Sequence, residues 1–229
     1  MTVSIDELTL ADWRRRVAAL YAEVRRLIRA SPDEALQLWR QERDRLYREH
    51  PQSPVPEAQR ATFQALHFPP DPALRFEADV IPDGSAPGGG GEGAAATSAT
   101  PARLPASAPA GLPASTGGMV ATRRIGWVEI PFPEGSRRLA VHWMEGYAGG
   151  LFLPFRDATN GTQTYGGGRY LLDGAKGADL GGDPERGTLL LDFNFAFQPS
   201  CAFDPRWSCP LAPVENRLDV AVRAGERLA

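Results

Sequence analysis

The sequence predicts an α+β fold that is mainly β, an antiparallel β-barrel or sandwich preceded by two to three N-terminal helices. Three observations predict it. Apolar residues from Trp13 to Ile28, and again from Leu36 to Tyr47, recur at three- and four-residue steps, the stripe of an amphipathic helix. Beyond Pro69 the apolar residues fall instead into short runs bounded by Gly, Pro, Asn or Asp. No helical pattern separates those runs, so the strands pair antiparallel and the sheet curls into a barrel or sandwich.

In order along the chain, the first helix carries Trp13, Val17, Leu20, Tyr21, Val24, Leu27 and Ile28 on its buried face. Its opposite face holds Arg14, Arg15, Arg16, Arg25, Arg26 and Arg29, read as a solvated surface because Asp12 and Glu23 lie among them. Ser31, Pro32 and Glu34 start a second helix: Ser31 as cap, Pro32 at the first helical position, Glu34 closing a capping box. That helix runs to about Glu49, with Arg40, Arg43 and Asp44 flanking its buried side. It stops at His50, Pro51 and Pro54, because proline cannot continue a helix. Pro56 to Gln64 suggests a short third helix.

Leu74 to Ile81 alternates apolar and polar residues as a strand. Gly84 to Gly118 is almost wholly Gly, Ala, Ser, Thr and Pro, which cannot bury enough apolar surface to offset its ordering entropy, so disorder is expected there. Further strands are expected at Arg123 to Phe132, Arg138 to Glu145, Gly150 to Phe155, Arg169 to Leu172, Leu189 to Phe197 and Leu218 to Arg223. The resulting organisation is a helical segment, residues 1–68, packed on a β domain, residues 71–229, which the 84–118 insertion interrupts.

A net charge of -3 and a pI near 5.7 give no global attraction to polyanions, so neither nucleic acid nor an anionic membrane is the expected partner. The N-terminus has no basic start followed by an apolar run, and no apolar window of about 18 residues occurs, so the expected address is the cytoplasm. In that reducing compartment the two cysteines, Cys201 and Cys209, are expected as free thiols, with a disulfide as the alternative. Arginine outnumbers lysine and alanine abounds, as in proteins of GC-rich bacterial genomes.

Most of the strong side-chain chemistry gathers between Thr188 and Glu226. Asp192 and Asn194 alternate with Phe193 and Phe195, which on a strand would put both polar groups on one side, to bind a polar molecule or to supply Asp192 as general base, the alternative being that they cap and fasten the proline-rich loop after the strand. Gly167 and Gly168 could offer amides to an anion, with Arg169 as a forked partner. The alternative is a hairpin turn whose Arg169 pairs with a structural carboxylate such as Asp157 or Asp192. Cys201 and Cys209 lie too far apart for the short paired spacings of a zinc site, so no metal is expected. A nucleophilic Cys201 would need a base, which His50 could provide only through the fold. His50 with Ser53 makes poor triad evidence, since no nucleophile elbow surrounds any serine. Glu215, Asn216 and Glu226 are expected to fasten loops.

WRxxRDxxxxxHPxSP from Trp39, FLPFRDAT from Phe152, TYGGGRY from Thr164, DFNFAF from Asp192 and PSCAFDPRWSCPLAPVENRL from Pro199 together resemble the signature of the prokaryotic family called domain of unknown function 1684. The similarity runs from about Leu36 to Leu228, apart from the insertion. The resemblance implies one domain in which Arg43, His50, Arg169, Asp192, Asn194 and Cys201 share a neighbourhood, and it brings no assigned activity or cofactor. The first expectation is therefore a β domain that binds a small polar or anionic molecule through Arg43, Gly167, Gly168, Arg169, Asp192 and Asn194. An enzyme of hydrolase or lyase type, using Asp192 or His50 as base and Cys201 as nucleophile, is the second. A structural or interaction module is the third.

Overall fold

The computed structural model describes residues 5–83, 111–146 and 149–228. Three helices come first, α1 (Ile5–Leu27), α2 (Pro32–Glu49) and α3 (Glu57–Arg60). Their buried residues follow the two stripes: Trp13, Tyr21, Val24 and Ile28, then Leu36, Trp39, Leu46 and Tyr47. Trp39 locks α2 to α1 by donating its indole N–H to the Tyr21 hydroxyl at 3.0 Å. Pro32 sits in the first turn of α2 as expected, but Ser31 makes no capping bond. Its backbone (φ -137°, ψ 69°) lies off the extended geometry that brings a capping hydroxyl over the first amides.

The strands are β1 (Leu66–His67), β2 (Arg75–Asp79), β3 (Ile81–Pro82), β4 (Leu112–Pro113), β5 (Met119–Val120), β6 (Thr122–Phe132), β7 (Gly135–Met144), β8 (Gly150–Phe155), β9 (Arg169–Asp173), β10 (Gly182–Asp183), β11 (Thr188–Asp192) and β12 (Glu226–Arg227). They form a five-stranded sheet in the order β3-β6-β7-β8-β9, a three-stranded sheet β10-β11-β2, and two small pairs, β1-β12 and β4-β5. Every strand pair is antiparallel. The two larger sheets share one apolar interior: Val128, Ile130, Leu139, Val141, Leu153 and Phe155 from one, Ala78, Leu189 and Leu191 from the other. On a second core, α1 and α2 set Tyr21, Val24, Ile28, Leu36 and Trp39 against Phe152, Tyr170, Leu190 and Phe195. β9 and β11 are thus covered on both sides and are buried throughout, which is why they read as continuous apolar runs. The fold is α+β and mainly β, with open sheets packed as a sandwich.

Three expectations are corrected. The strand expected from Leu189 to Phe197 ends at Asp192, and Phe193–Phe195 is a 3-10 turn. Composition suggested disorder as far as Gly118, yet residues 111–118 lead into the β4-β5 hairpin, with Leu112 buried. Ser115 holds that hairpin to the chain near Cys209, where its amide donates to the Cys209 carbonyl at 2.9 Å. The rest of the expected disorder, 84–110, lies outside the described residues. Finally, Leu218 to Arg223 keeps the alternating burial of a strand, with Leu218, Val220 and Val222 inside, but joins no sheet.

Two asparagine amides take over where ladders stop. Asn194 donates Nδ2 to the Asp71 carbonyl and accepts the Asp71 N–H on Oδ1, both at 2.8 Å. Asn216 accepts from Ala140 N at 2.7 Å and donates to Ala140 O at 2.9 Å and Pro154 O at 2.7 Å. A carboxamide has one carbonyl and one N–H₂, so each side chain stands in for the peptide group of a missing strand.

Candidate functional site

Arg169 is where the sequence placed the centre of a binding site, and the fold uses it differently. Its side chain is 0% exposed. Nη1 donates to the carbonyls of Ala224 and Glu226, and Nη2 to Val222 O at 2.8 Å and Asp157 Oδ2 at 3.4 Å. The carbonyls of residues 222, 224 and 226 converge on the guanidinium across the bend at Gly225, whose φ is +74°, so Arg169 fastens the chain where it turns into β12. Asp157 adds a second hold by accepting the Val222 amide at 2.7 Å. Burial pushes the Arg169 guanidinium down to about 10, against the pull of Asp157, and it remains a cation at neutral pH. Pairing with Asp157, the structural alternative weighed for Arg169, is what the fold contains.

Gly167 and Gly168 serve packing in the same way. A side chain on Gly168, whose φ is +101°, would meet the Phe155 carbonyl at 2.6 Å, and one on Gly167 would meet the Tyr165 ring. Asp192 is 0% exposed, accepts from Arg75 Nε at 2.7 Å and from the amide and side chain of Asn194, and so fastens the 3-10 turn. Asp192 and Asn194 are brought together, but by hydrogen bonding across the turn rather than by strand alternation. His50 is buried beside α1, edge-on to Trp13, with Nε2 3.3 Å from Asp12 Oδ2 and Nδ1 accepting from Gln52 N. It bonds to no cysteine among the described residues. Ser53 hydrogen-bonds the Tyr47 carbonyl at 2.6 Å and closes the end of α2.

Arg43 is the predicted site residue that reaches open space. It lies on α2 between the rings of Tyr47, Phe197 and Trp39, whose centres are 4.5, 4.8 and 5.5 Å from Cζ. Glu226 takes one fork of the guanidinium, through Nε and Nη2, and Glu226 Oε2 also accepts the Gln198 amide at 2.7 Å. Burial opposes the charge on Arg43, but Glu226 outweighs it and raises the pKa. Nη1 donates to no group among the described residues, and Arg43 lines a cleft of about 40 Å³ between the helices and the β domain. Trp13, Val17 and Phe197 wall this cleft, and Tyr21, Tyr47, Lys176 and Ser200 add polar groups to it. Burial raises the pKa of both tyrosines, which keeps their hydroxyls protonated. Lys176 keeps 42% of its side chain exposed and pairs with Asp173 at 2.6 Å. Tyr21, Lys176 and Ser200 were not singled out from the sequence. They come from three separate elements, and only the helical stripe through Tyr21 signalled that one of them faces inward.

Beside Ser200 stand the two cysteines, both free and buried. The Cys201 amide donates to Cys209 Sγ at 3.3 Å, so the two thiols are neighbours. The neighbouring Cys209 thiol outweighs burial and draws the Cys201 thiol below its ordinary range, while the Cys209 thiol is pushed up by its partner and by burial. Burial, with the thiols behind it, pushes Tyr165 up to about 12. Among the described residues no group of three or more His, Cys, Asp or Glu could hold a metal ion, and no helix is long and apolar enough to cross a membrane.

Comparisons place the chain among relatives. The model of a family described as protein of unknown function (DUF1684) matches residues 92–227. An uncharacterized protein of Haloarcula marismortui, solved in solution by NMR, is 33% identical, with the alignment covering 86% of this chain and 94% of that one at a TM-score of 0.55. A search of the curated proteins finds no match.

Proposed function

The chain belongs to the DUF1684 family, and from that premise we propose that it binds a small anionic molecule through a carboxylate or phosphate group seated on Arg43. The observation that carries this reading is the half-used guanidinium: Glu226 fills one fork, and Nη1 faces a cleft with no partner among the described residues. Nη2 also donates to the Gln198 carbonyl at 3.4 Å, so Nη1 is the donor left to grip an oxyanion. The pair with Glu226 and the ring stack fix Nη1 in place, so little entropy is lost on binding. Lys176, Ser200 and the protonated hydroxyls of Tyr21 and Tyr47 supply further donors around the same space. A volume of about 40 Å³ suits the charged group of a ligand, with the remainder extending into solvent.

The test is a thermal-shift and calorimetric comparison of acetate, succinate, inorganic phosphate and a neutral sugar on the purified full chain. An anion at a hundred times its dissociation constant should stabilise the fold by about 2.7 kcal/mol. Lys176→Gln, which alters a half-exposed side chain, should weaken binding about tenfold without unfolding the protein, and Arg43→Lys should weaken it further by removing the fork. No shift with any anion on the folded wild type would sink the reading.

A further inference from the structure

We propose that Cys201 and Cys209 form a reversible intramolecular disulfide. The placement does not depend on an anion in the neighbouring cleft. Cys209 Sγ lies 3.3 Å from the Cys201 amide nitrogen, and the seven residues between the cysteines fold back through a 3-10 turn, Ser200–Ala202, and a second turn closed by Trp207 N to Asp204 O. The return limb is pinned: Ser115 Oγ accepts the Cys209 amide at 3.0 Å and donates to the Trp207 carbonyl at 3.1 Å. Cys209 Sγ is therefore held against the backbone of Cys201 before any bond forms between the two side chains.

The surroundings draw the Cys201 thiol below its ordinary range, while the neighbouring thiol and burial push the Cys209 thiol up, so one member of the pair supplies a thiolate and the other keeps its proton. A thiolate, rather than a thiol, attacks a disulfide.

The oxidant is a low-molecular-weight disulfide, RSSR. The Cys201 thiolate attacks one sulfur, forms the mixed disulfide Cys201–S–S–R, and releases RS⁻, which takes up a proton. Cys209 then gives its proton to water, attacks Cys201 Sγ, and expels the second RS⁻. The protein loses two electrons and two protons, and RSSR becomes two RSH.

The experiment treats the full-length wild-type protein with glutathione disulfide in graded ratios to glutathione, traps free thiols by alkylation, and reads intact mass and peptide maps. The expected product is a monomer lighter by two hydrogens with a 201–209 cross-link. Cys209→Ser should stop at one glutathione on Cys201 and Cys201→Ser at one on Cys209, with no cross-link in either. On wild type, the alkylation rate of Cys201 should reach half its plateau below the pH of about 8.5 at which an ordinary thiol does. The wild-type map decides the matter even if a serine variant fails to fold. Two thiols that stay free while the protein is folded, or cross-links only between chains, would overturn the proposal.

Discussion

Arg43 on α2 and Glu226 in β12 stand 183 residues apart in the chain and meet as a two-pronged ion pair, with Nη2 donating to Oε2 at 3.2 Å and Nε to Oε1. Glu226 is 1% exposed and Arg43 12%, so the carboxylate has no water to fall back on and the guanidinium has only the part that meets the cleft. Removing one partner should cost far more than the pair contributes. Glu226→Ala is expected to lower stability by about 3 to 5 kcal/mol, read from urea unfolding. The double change Arg43→Met with Glu226→Met should cost less than the sum of the single changes, because no charge is left stranded.

Arg169→Met should be as damaging for a different reason. It leaves the carbonyls of Val222, Ala224 and Glu226 and the carboxylate of Asp157 without their common donor. A loss of about 3 to 5 kcal/mol is expected. Arg169→Lys should recover only part of it, since an ammonium cannot span a row of carbonyls as a planar fork does. A stability near that of wild type for Arg169→Met would contradict the structural role.

Asn216 gives a cleaner test of a side chain acting as a peptide group. Asn216→Ala should cost about 2 to 4 kcal/mol by stranding Ala140 N and two carbonyls in the core. Asn216→Asp should be worse still, because it faces the Ala140 and Pro154 carbonyls with a charge and no donor. Hydrogen exchange at the Ala140 amide should accelerate in both.

His67 makes stability pH-dependent in a stated direction. Burial, against the opposing pull of Glu226, pushes its imidazole down to about 4, and its ring packs edge-on to Trp39 with Nε2 buried and unpartnered among the described residues. The unfolded chain takes up the proton near pH 6.5 and the folded chain only near pH 4, so between these values the unfolded state binds more protons. Its contribution is fully present above about pH 6.5 and lost as the pH falls towards 4, amounting to about 1 to 3 kcal/mol. His67→Phe should flatten this part of the stability profile in urea unfolding from pH 4 to 7.

Periodicity made the architecture legible. The stripes through Trp13 to Ile28 and Leu36 to Tyr47 give α1 and α2, and the bounded apolar runs locate β6 to β9. The run from Leu218 to Arg223 does bury alternate residues, but pattern cannot say what satisfies its backbone. Leu218 N and Val220 O bond to the main chain at Arg156 and Ala158, and the carbonyl and amide of Val222 to the Arg169 and Asp157 side chains, so a true burial pattern led to a false strand. The site shows the same division. Asp192 and Asn194 stand out in sequence because each is polar among phenylalanines, Arg169 because it follows three glycines, and Arg43 because it lies in the WRxxRD motif. A residue can stand out in this way for holding the core shut or for facing a cleft, and only the fold separates Arg43 from the other three. Lys176, Ser200 and Ser115 carry no such local anomaly, and their roles arise wholly from distant segments meeting.

The row of carbonyls gathered by Arg169 has a consequence during synthesis. Residues 222–226 leave the ribosome long after β9 has emerged, and until they arrive a cation and its four oxygen partners cannot be brought together. The interior between the sheets therefore stays open throughout elongation, and a chain cut short before Val222 exposes apolar surface that a finished one hides. Stalled or clipped products that lack residues 222–226 should be readily recognised by chaperones and proteases, so that emergence of this short segment sets when the core can close.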